Sequence, residues 1–464
     1  MSTDLTARPA GPLLTDLRMA WLLTRGSDRR EWWRVGLTAV GAALAAGVGM
    51  AVVALNSLDG YYSVSFGSGL LDSASDRRNV GLALVTLLVP VLGFLGQCAR
   101  IGAVHRDRRL AALRLAGAGP WQVRRIAALE SGMACLAGSV AAVAVFVPLL
   151  LLLWDRPGAL TWAGVALVPV VVPVLGAAVS MLSLWRVVAS PLGWVRRVRP
   201  LWGPGRALRV VIGLLGVTAL CVGLSSFVGG PVEVALGPPA LFAVVLLVGV
   251  ATVSLTGTAA RRLGGALASR AQSPALLIAA ERLRDDPWAA ARTHASVLLV
   301  TVVGSGFVGV RQVLLETLHT MRREGTLAAD LGYYTTGLDL TTAAILVALA
   351  LTVTGLAVGT MESLATRRRG LAAQVAAGVP HRVLARALLL ETALPLAPAV
   401  AVAGLGGTAI GFWYASLGSD RSGTVLPYAA LLVPLGIYAA CLLAAATSLP
   451  LLRRSVRPAE LRYT

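Results

Sequence analysis

Ten stretches of this chain run for more than twenty residues with few charges. They lie at roughly 35–56, 80–104, 127–153, 162–188, 208–228, 236–258, 293–314, 341–363, 384–411 and 427–451. About 20 apolar residues in a helix cross the hydrocarbon core of a bilayer. Lipid offers no hydrogen-bond partner to backbone amides, so such a run must be helical. The predicted fold class is an all-α polytopic membrane protein with ten transmembrane helices. Charged residues make up only 14% of the 464, against roughly a quarter in soluble domains. The fifth and sixth runs are the least marked, separated by the Gly/Pro-rich GGPVEVALGPP.

The charges that remain are placed unevenly. All 41 basic residues are Arg, and the net charge is +19. With the N-terminus inside, the outer segments hold Arg77, Arg78, Arg156, Arg311, Arg322, Arg323 and Arg421, which is 7 of 41 and leaves 34 inside. Arginine enriched on cytoplasmic flanks sets orientation, so both termini are predicted to be cytoplasmic in a multi-pass protein of the cell membrane. That placement accounts for the charge, and no nucleic-acid partner is predicted. The absence of Lys has a sharp consequence, because a GxxxxGK[ST] phosphate loop requires one. Cys98, Cys135, Cys221 and Cys441 all fall in apolar runs and read as small buried hydrophobes. His105, His294, His319 and His381 have no metal-ligand spacing, and no Ser/His/Asp or Cys/His set converges. No catalytic, cofactor-binding or metal-ligating residue is predicted. The N-terminus lacks a short apolar stretch with a cleavage site, so no removable signal peptide is expected. Instead Leu14, Leu17, Trp21 and Leu22 form the apolar stripe of an interfacial helix, with Trp32 and Trp33 in the aromatic belt.

Arg106–Ser131, RDRRLAALRLAGAGPWQVRRIAALES, reads as a lying helix, an elbow and a standing helix. Leu110, Leu113 and Gly117 recur on one side, while Arg108, Arg109 and Arg114 supply the polar side. Gly117-Ala-Gly119-Pro120 stops the first helix and starts the second. The pattern returns as Arg367–Thr392, RRRGLAAQVAAGVPHRVLARALLLET. An ungapped offset of 261 pairs Arg108 with Arg369, Leu110 with Leu371, Gly117 with Gly378, Arg125 with Arg386 and Glu130 with Glu391. Pro120 and Pro380 differ from that offset by one place. A self-match at long period indicates an internal duplication. Glu130 and Glu391 enter the membrane close to Arg125 and Arg386, and these pairs are predicted to anchor each elbow to its span.

An amphipathic helix, then A-G-x or A-G-x-P, then a span entered with A-L-E or L-L-E, resembles the FtsX-like (MacB-type) permease domain of ABC transporters. Two such domains with two spans between them resemble the ten-span BceB branch associated with antimicrobial-peptide resistance. The resemblance covers roughly 80–188 and 341–455. One departure stands out: BceB-like permeases carry a large extracellular domain between spans seven and eight, and here that place holds a short segment. The implied organisation is a cytoplasmic tail and interfacial helix (1–34), a first four-span repeat (35–188) and a cytoplasmic linker (189–207). A two-span insert (208–258), a cytoplasmic amphipathic lead-in (259–292), a second four-span repeat (293–455) and a cytoplasmic tail (456–464) complete it.

The resemblance implies a permease subunit whose two elbow helices dock on a separate ABC ATPase, two ATPase subunits to one permease chain. Carried over by position, Arg108, Arg109, Leu110, Leu113 and Gly117 form one coupling helix, and Arg369, Leu371, Val375 and Gly378 the other. The docking contact is expected on the apolar side, through Leu110, Leu113, Leu371 and Val375. ATP and Mg would reside in that partner, with no cofactor in this chain. The expected activity is export or displacement of an amphipathic substrate such as a peptide, antibiotic or lipid. The alternative is mechanotransmission to an extracellular cell-wall hydrolase or a sensor kinase. The bilayer itself is the remaining partner.

Overall fold

The computed structural model describes residues 12–25, 29–58, 60–61, 68–69, 71–100, 112–154, 157–183, 231–285, 287–417 and 426–450. Among these, every regular element is helical. The chain divides into two compact units, Met1–Arg197 and Val198–Thr464.

The first unit contains α1 (Pro12–Arg25), α2 (Arg29–Asn56), α3 (Ala74–Arg100), α4 (Pro120–Leu153) and α5 (Ala159–Ser183). The second contains α6 (Pro231–Ala268), α7 (Pro274–Asp285), α8 (Pro287–Glu324), α9 (Leu331–Thr366), α10 (Arg368–Ala376), α11 (His381–Leu417), a 3-10 turn (Tyr428–Leu431) and α12 (Leu432–Ala446). Among the described residues, seven helices are long and apolar enough to cross a membrane. Two more of the predicted runs coincide with α3 and α6, and the run at 208–228 lies outside the described residues. The chain is a multi-pass membrane protein.

The two units share a packing scheme. In the first, α2 packs on α3, α4 and α5, α4 packs on α5, and α1 packs on α4. In the second, α8 packs on α9, α11 and α12, α11 packs on α12, and α7 packs on α11. Helix α6 adds a layer against α7, α8 and α11. Ala46, Met50 and Ala54 of α2 meet Ala142, Leu150 and Val165 in the first core. Val297, Leu298 and Val302 meet Leu396, Ala399, Val400, Ala403, Ile437 and Cys441 in the second.

Between lipid-bathed helices the hydrophobic effect contributes little, and close backbone approach takes its place. At the α8–α11 crossing a Cβ on Gly407 would stand 2.5 Å from the Val302 carbonyl oxygen, and one on Gly411 would stand 3.0 Å from the Gly309 Cα. Gly138 serves the α2–α4 crossing, where a side chain would run into the Ala39 carbonyl. The large apolar side chains left exposed, among them Val145, Leu152, Leu435 and Leu443, suit contact with lipid tails. Cys98, Cys135 and Cys441 are buried, and Cys221 lies outside the described residues.

The short segment between the seventh and eighth runs, 315–340, is largely helical. A helix does not stop where its apolar run stops; it stops at a cap. Helix α8 continues to Gly325, whose φ is +69°. There Thr326 N–H donates to the Met321 carbonyl and Gly325 N–H to the Arg322 carbonyl, the two bonds of a Schellman ending. Helix α9 starts where the Asp330 carboxylate accepts from Leu331 N–H at 2.9 Å. The described residues between 57 and 79 include several that gather around one side chain. Arg77 is buried and donates to the carbonyl oxygens of Leu58, Gly60, Leu71 and Asp72.

Candidate functional site

The two elbows are built alike down to their hydrogen bonds. Residues 112–115 are helical, and Gly117 then turns left-handed with φ +98°. Ala118 N–H donates to the Leu113 carbonyl at 3.0 Å, and Gly117 N–H to the Arg114 carbonyl at 3.0 Å. In the second elbow Gly378 has φ +90°. Val379 N–H donates to the Gln374 carbonyl at 3.0 Å, and Gly378 N–H to the Val375 carbonyl at 2.9 Å. Both are Schellman endings, which need the left-handed backbone that glycine adopts without steric cost. The one-place slip of the proline appears just beyond. Pro120 is the first residue of α4, whereas Pro380 immediately precedes α11.

The exposure pattern also repeats. Ala112, Leu115, Ala116 and Gly117 are exposed, and so are their counterparts Ala373, Ala376, Ala377 and Gly378. The inward sides differ from the expected arrangement. Leu371 is only 2% exposed and packs with Leu364, Ala372, Leu384 and Leu388, with Val375 half-buried beside them. Leu113 is half-buried against Val123 and Ala127. The apolar stripe, predicted as the docking side, therefore faces the elbow's own span. The reason is local: the glycine turn folds the short helix back on the helix that follows it. The free surface is the opposite tip, which carries Leu115 at 84% exposure, with Trp121 nearby at 63%, in the first elbow. In the second elbow the tip carries alanines. Arg124 lies 5.2 Å from the Trp121 ring centre, a cation–π contact. Arg108, Arg109 and Leu110, and the side chain of Arg369, lie outside the described residues.

The predicted anchor pairs are replaced by others. Arg125 reaches Asp16 of α1 at 2.8 Å, and Gln122 donates to the same carboxylate at 3.3 Å. Asp16 is 1% exposed. Glu391 receives Arg367 at 2.7 Å on one oxygen and Arg282 of α7 at 3.1 Å on the other. Arg386 is exposed. Residues five apart on a helix point about 140° away from each other, which turns Arg125 away from Glu130 and Arg386 away from Glu391. Glu130 itself is buried. The helices α1 and α7 are thus tied to corresponding spans by ion pairs of opposite polarity, acid on α1 and base on α7. Among the described residues no group of three or more His, Cys, Asp or Glu side chains could hold a metal ion.

Residues 80–192 match the FtsX-like permease C-terminal family, a segment that contains α4, α5 and the first elbow. Neither the curated proteins nor the solved structures contain a match to the chain. The FtsX-like match does not extend over the second elbow, which resembles the first in its glycine turn, its exposure pattern and the packing of its spans.

Proposed function

We propose that this chain is the permease subunit of an ATP-driven transporter of the ABC class, working with a separate ATPase, and that it is built from two FtsX-like repeats. The observation that carries the reading is the pair of matching elbows, one of them inside the FtsX-like segment. Each presents a short exposed tip on a rigid glycine turn at the foot of a long span, and a partner that pushes the tip moves the span.

In this reading the arginine asymmetry of the sequence places both elbows and both termini in the cytoplasm. One chain then offers two tips to two ATPase subunits, which hold ATP and Mg. The docking surface runs through Leu115 and Ala116 in one elbow and Ala373, Ala376 and Ala377 in the other. Arginines around it suit an acidic rim on the partner. The substrate is amphipathic, a peptide, antibiotic or lipid reaching the permease from the bilayer, as in the MacB-type and BceB-like transporters that the sequence resembles. A mechanical role toward an extracellular enzyme or a sensor kinase is the second reading. It is favoured by α8 and α9, whose 38 and 36 residues extend to about 57 and 54 Å against a core of roughly 30 Å. The test is reconstitution with the cognate ATPase. Hydrolysis that requires the permease and rises with an amphipathic peptide supports transport. Hydrolysis by the purified permease alone refutes the whole reading.

A further inference from the structure

Glu391 is the meeting point of three elements. Arg367 is at once the C-cap of α9 and the N-cap of α10, so its backbone is the corner of the second elbow. Its guanidinium takes one oxygen of Glu391 at 2.7 Å, and Arg282 of α7 takes the other at 3.1 Å. Because each arginine has its own oxygen, the two contacts do not compete. All three side chains are partly shielded, at 40%, 21% and 23% exposure for Arg367, Arg282 and Glu391.

Beside this ionic contact the same elements share an apolar one. Ile278 of α7, Leu364 of α9, Leu371 of α10 and Leu384 of α11 belong to one cluster. Helix α7 in turn packs on α6 and α11. In the first unit the corresponding Asp16–Arg125 pair joins only α1 to α4.

We propose that Glu391 is a positioning residue that makes the second elbow and helix α7 move as one body, carrying an elbow displacement to α6. The inference rests on the reading of α10 as a coupling element. It gives the second elbow a wider mechanical reach than the first. Two sites couple only where a physical element responds to both, and here that element is a single carboxylate with two arms.

The test is a distance measurement across the two arms. Spin labels go on Leu277 of α7 and Ala376 of α10, both exposed, in the cysteine-free full-length chain held in lipid nanodiscs. The intact node gives one narrow distance distribution. Glu391→Gln keeps the shape and removes the charge, so the distribution broadens roughly twofold as the arms move independently. Arg282→Gln and Arg367→Gln each broaden it by less, while Arg386→Gln leaves it unchanged. Thermal unfolding of each variant, unchanged from the parent, separates positioning from loss of fold, and Glu391→Asp gives an intermediate width. An unchanged distribution in Glu391→Gln, or equal broadening in Arg386→Gln, overturns the proposal. No ATPase is needed, so failure here leaves the permease reading standing. Conversely, an elbow shown not to dock leaves the measured node intact.

Discussion

Leu371 separates an elbow that docks through its apolar stripe from one that docks through its tip. With 2% exposure and four buried neighbours, its side chain is part of the fold. Full burial of a leucine is worth about 2–3 kcal/mol, and Leu→Ala changes in cores cost about 2–5 kcal/mol. For a nine-residue surface helix that can partly settle into the gap, Leu371→Ala should cost about 2–3 kcal/mol. Leu371→Asp should go further, because a charge left without a partner in that cluster forces α10 off α11. Ala376→Asp stands on the exposed tip and should change stability by no more than about 0.5 kcal/mol. Amide exchange of residues 368–376 in the full-length chain, read beside ATPase coupling in the reconstituted complex, distinguishes the two. Leu371→Ala should speed exchange about 30-fold or more, the equivalent of about 2 kcal/mol of local opening. Ala376→Asp should leave exchange alone and sharply lower coupling. Normal protection in Leu371→Ala, or normal coupling in Ala376→Asp, would refute the assignment of faces.

Other positions give independent checks. Gly378→Ala meets open space but must hold φ near +90°, so it should loosen the elbow by about 1 kcal/mol, read as faster exchange at residues 376–380. At the α8–α11 crossing, Gly407→Val drives a side chain into the Val302 carbonyl and Ser305. It should lower the unfolding temperature by several degrees, whereas Gly47→Ala, with open space around it, should not. Arg77→Met leaves the half-buried carbonyl oxygens of Leu58, Leu71 and Asp72 without their donor. A loss of about 2–4 kcal/mol is expected, visible as faster proteolysis between residues 57 and 73.

Much of this architecture can be read from the amino acids alone. A run of apolar residues long enough to cross a bilayer has only helix open to it, which is why the runs at 127–153 and 384–411 reappear inside α4 and α11. The elbows were legible as well, since glycine and proline act through backbone geometry that tertiary packing seldom overrides. Three things were not. An amphipathic stripe does not say whether it faces lipid, a partner or its own span, so Leu371 looked like a docking residue. Nearness in sequence suggested Arg125–Glu130 and Arg386–Glu391, but five residues turn a helix to its far side. Asp16 and Arg282, the partners from α1 and α7, are over a hundred residues away from the groups they meet, and nothing local announces them. The helical extension of α8 and α9 was there to be read in Gly325 and Asp330, an ending and a cap that hydropathy does not register.

The claim that one chain presents two equivalent docking elements is tested most directly by the composition of the assembled complex. Native mass spectrometry of the complex purified with its cognate ATPase should give one permease chain to two ATPase subunits. Replacing exposed tip residues in either elbow should weaken retention of the ATPase pair. Two permease chains per ATPase pair, or a one-to-two complex that persists undiminished when both tips carry aspartate at Leu115 and Ala376, would contradict the account.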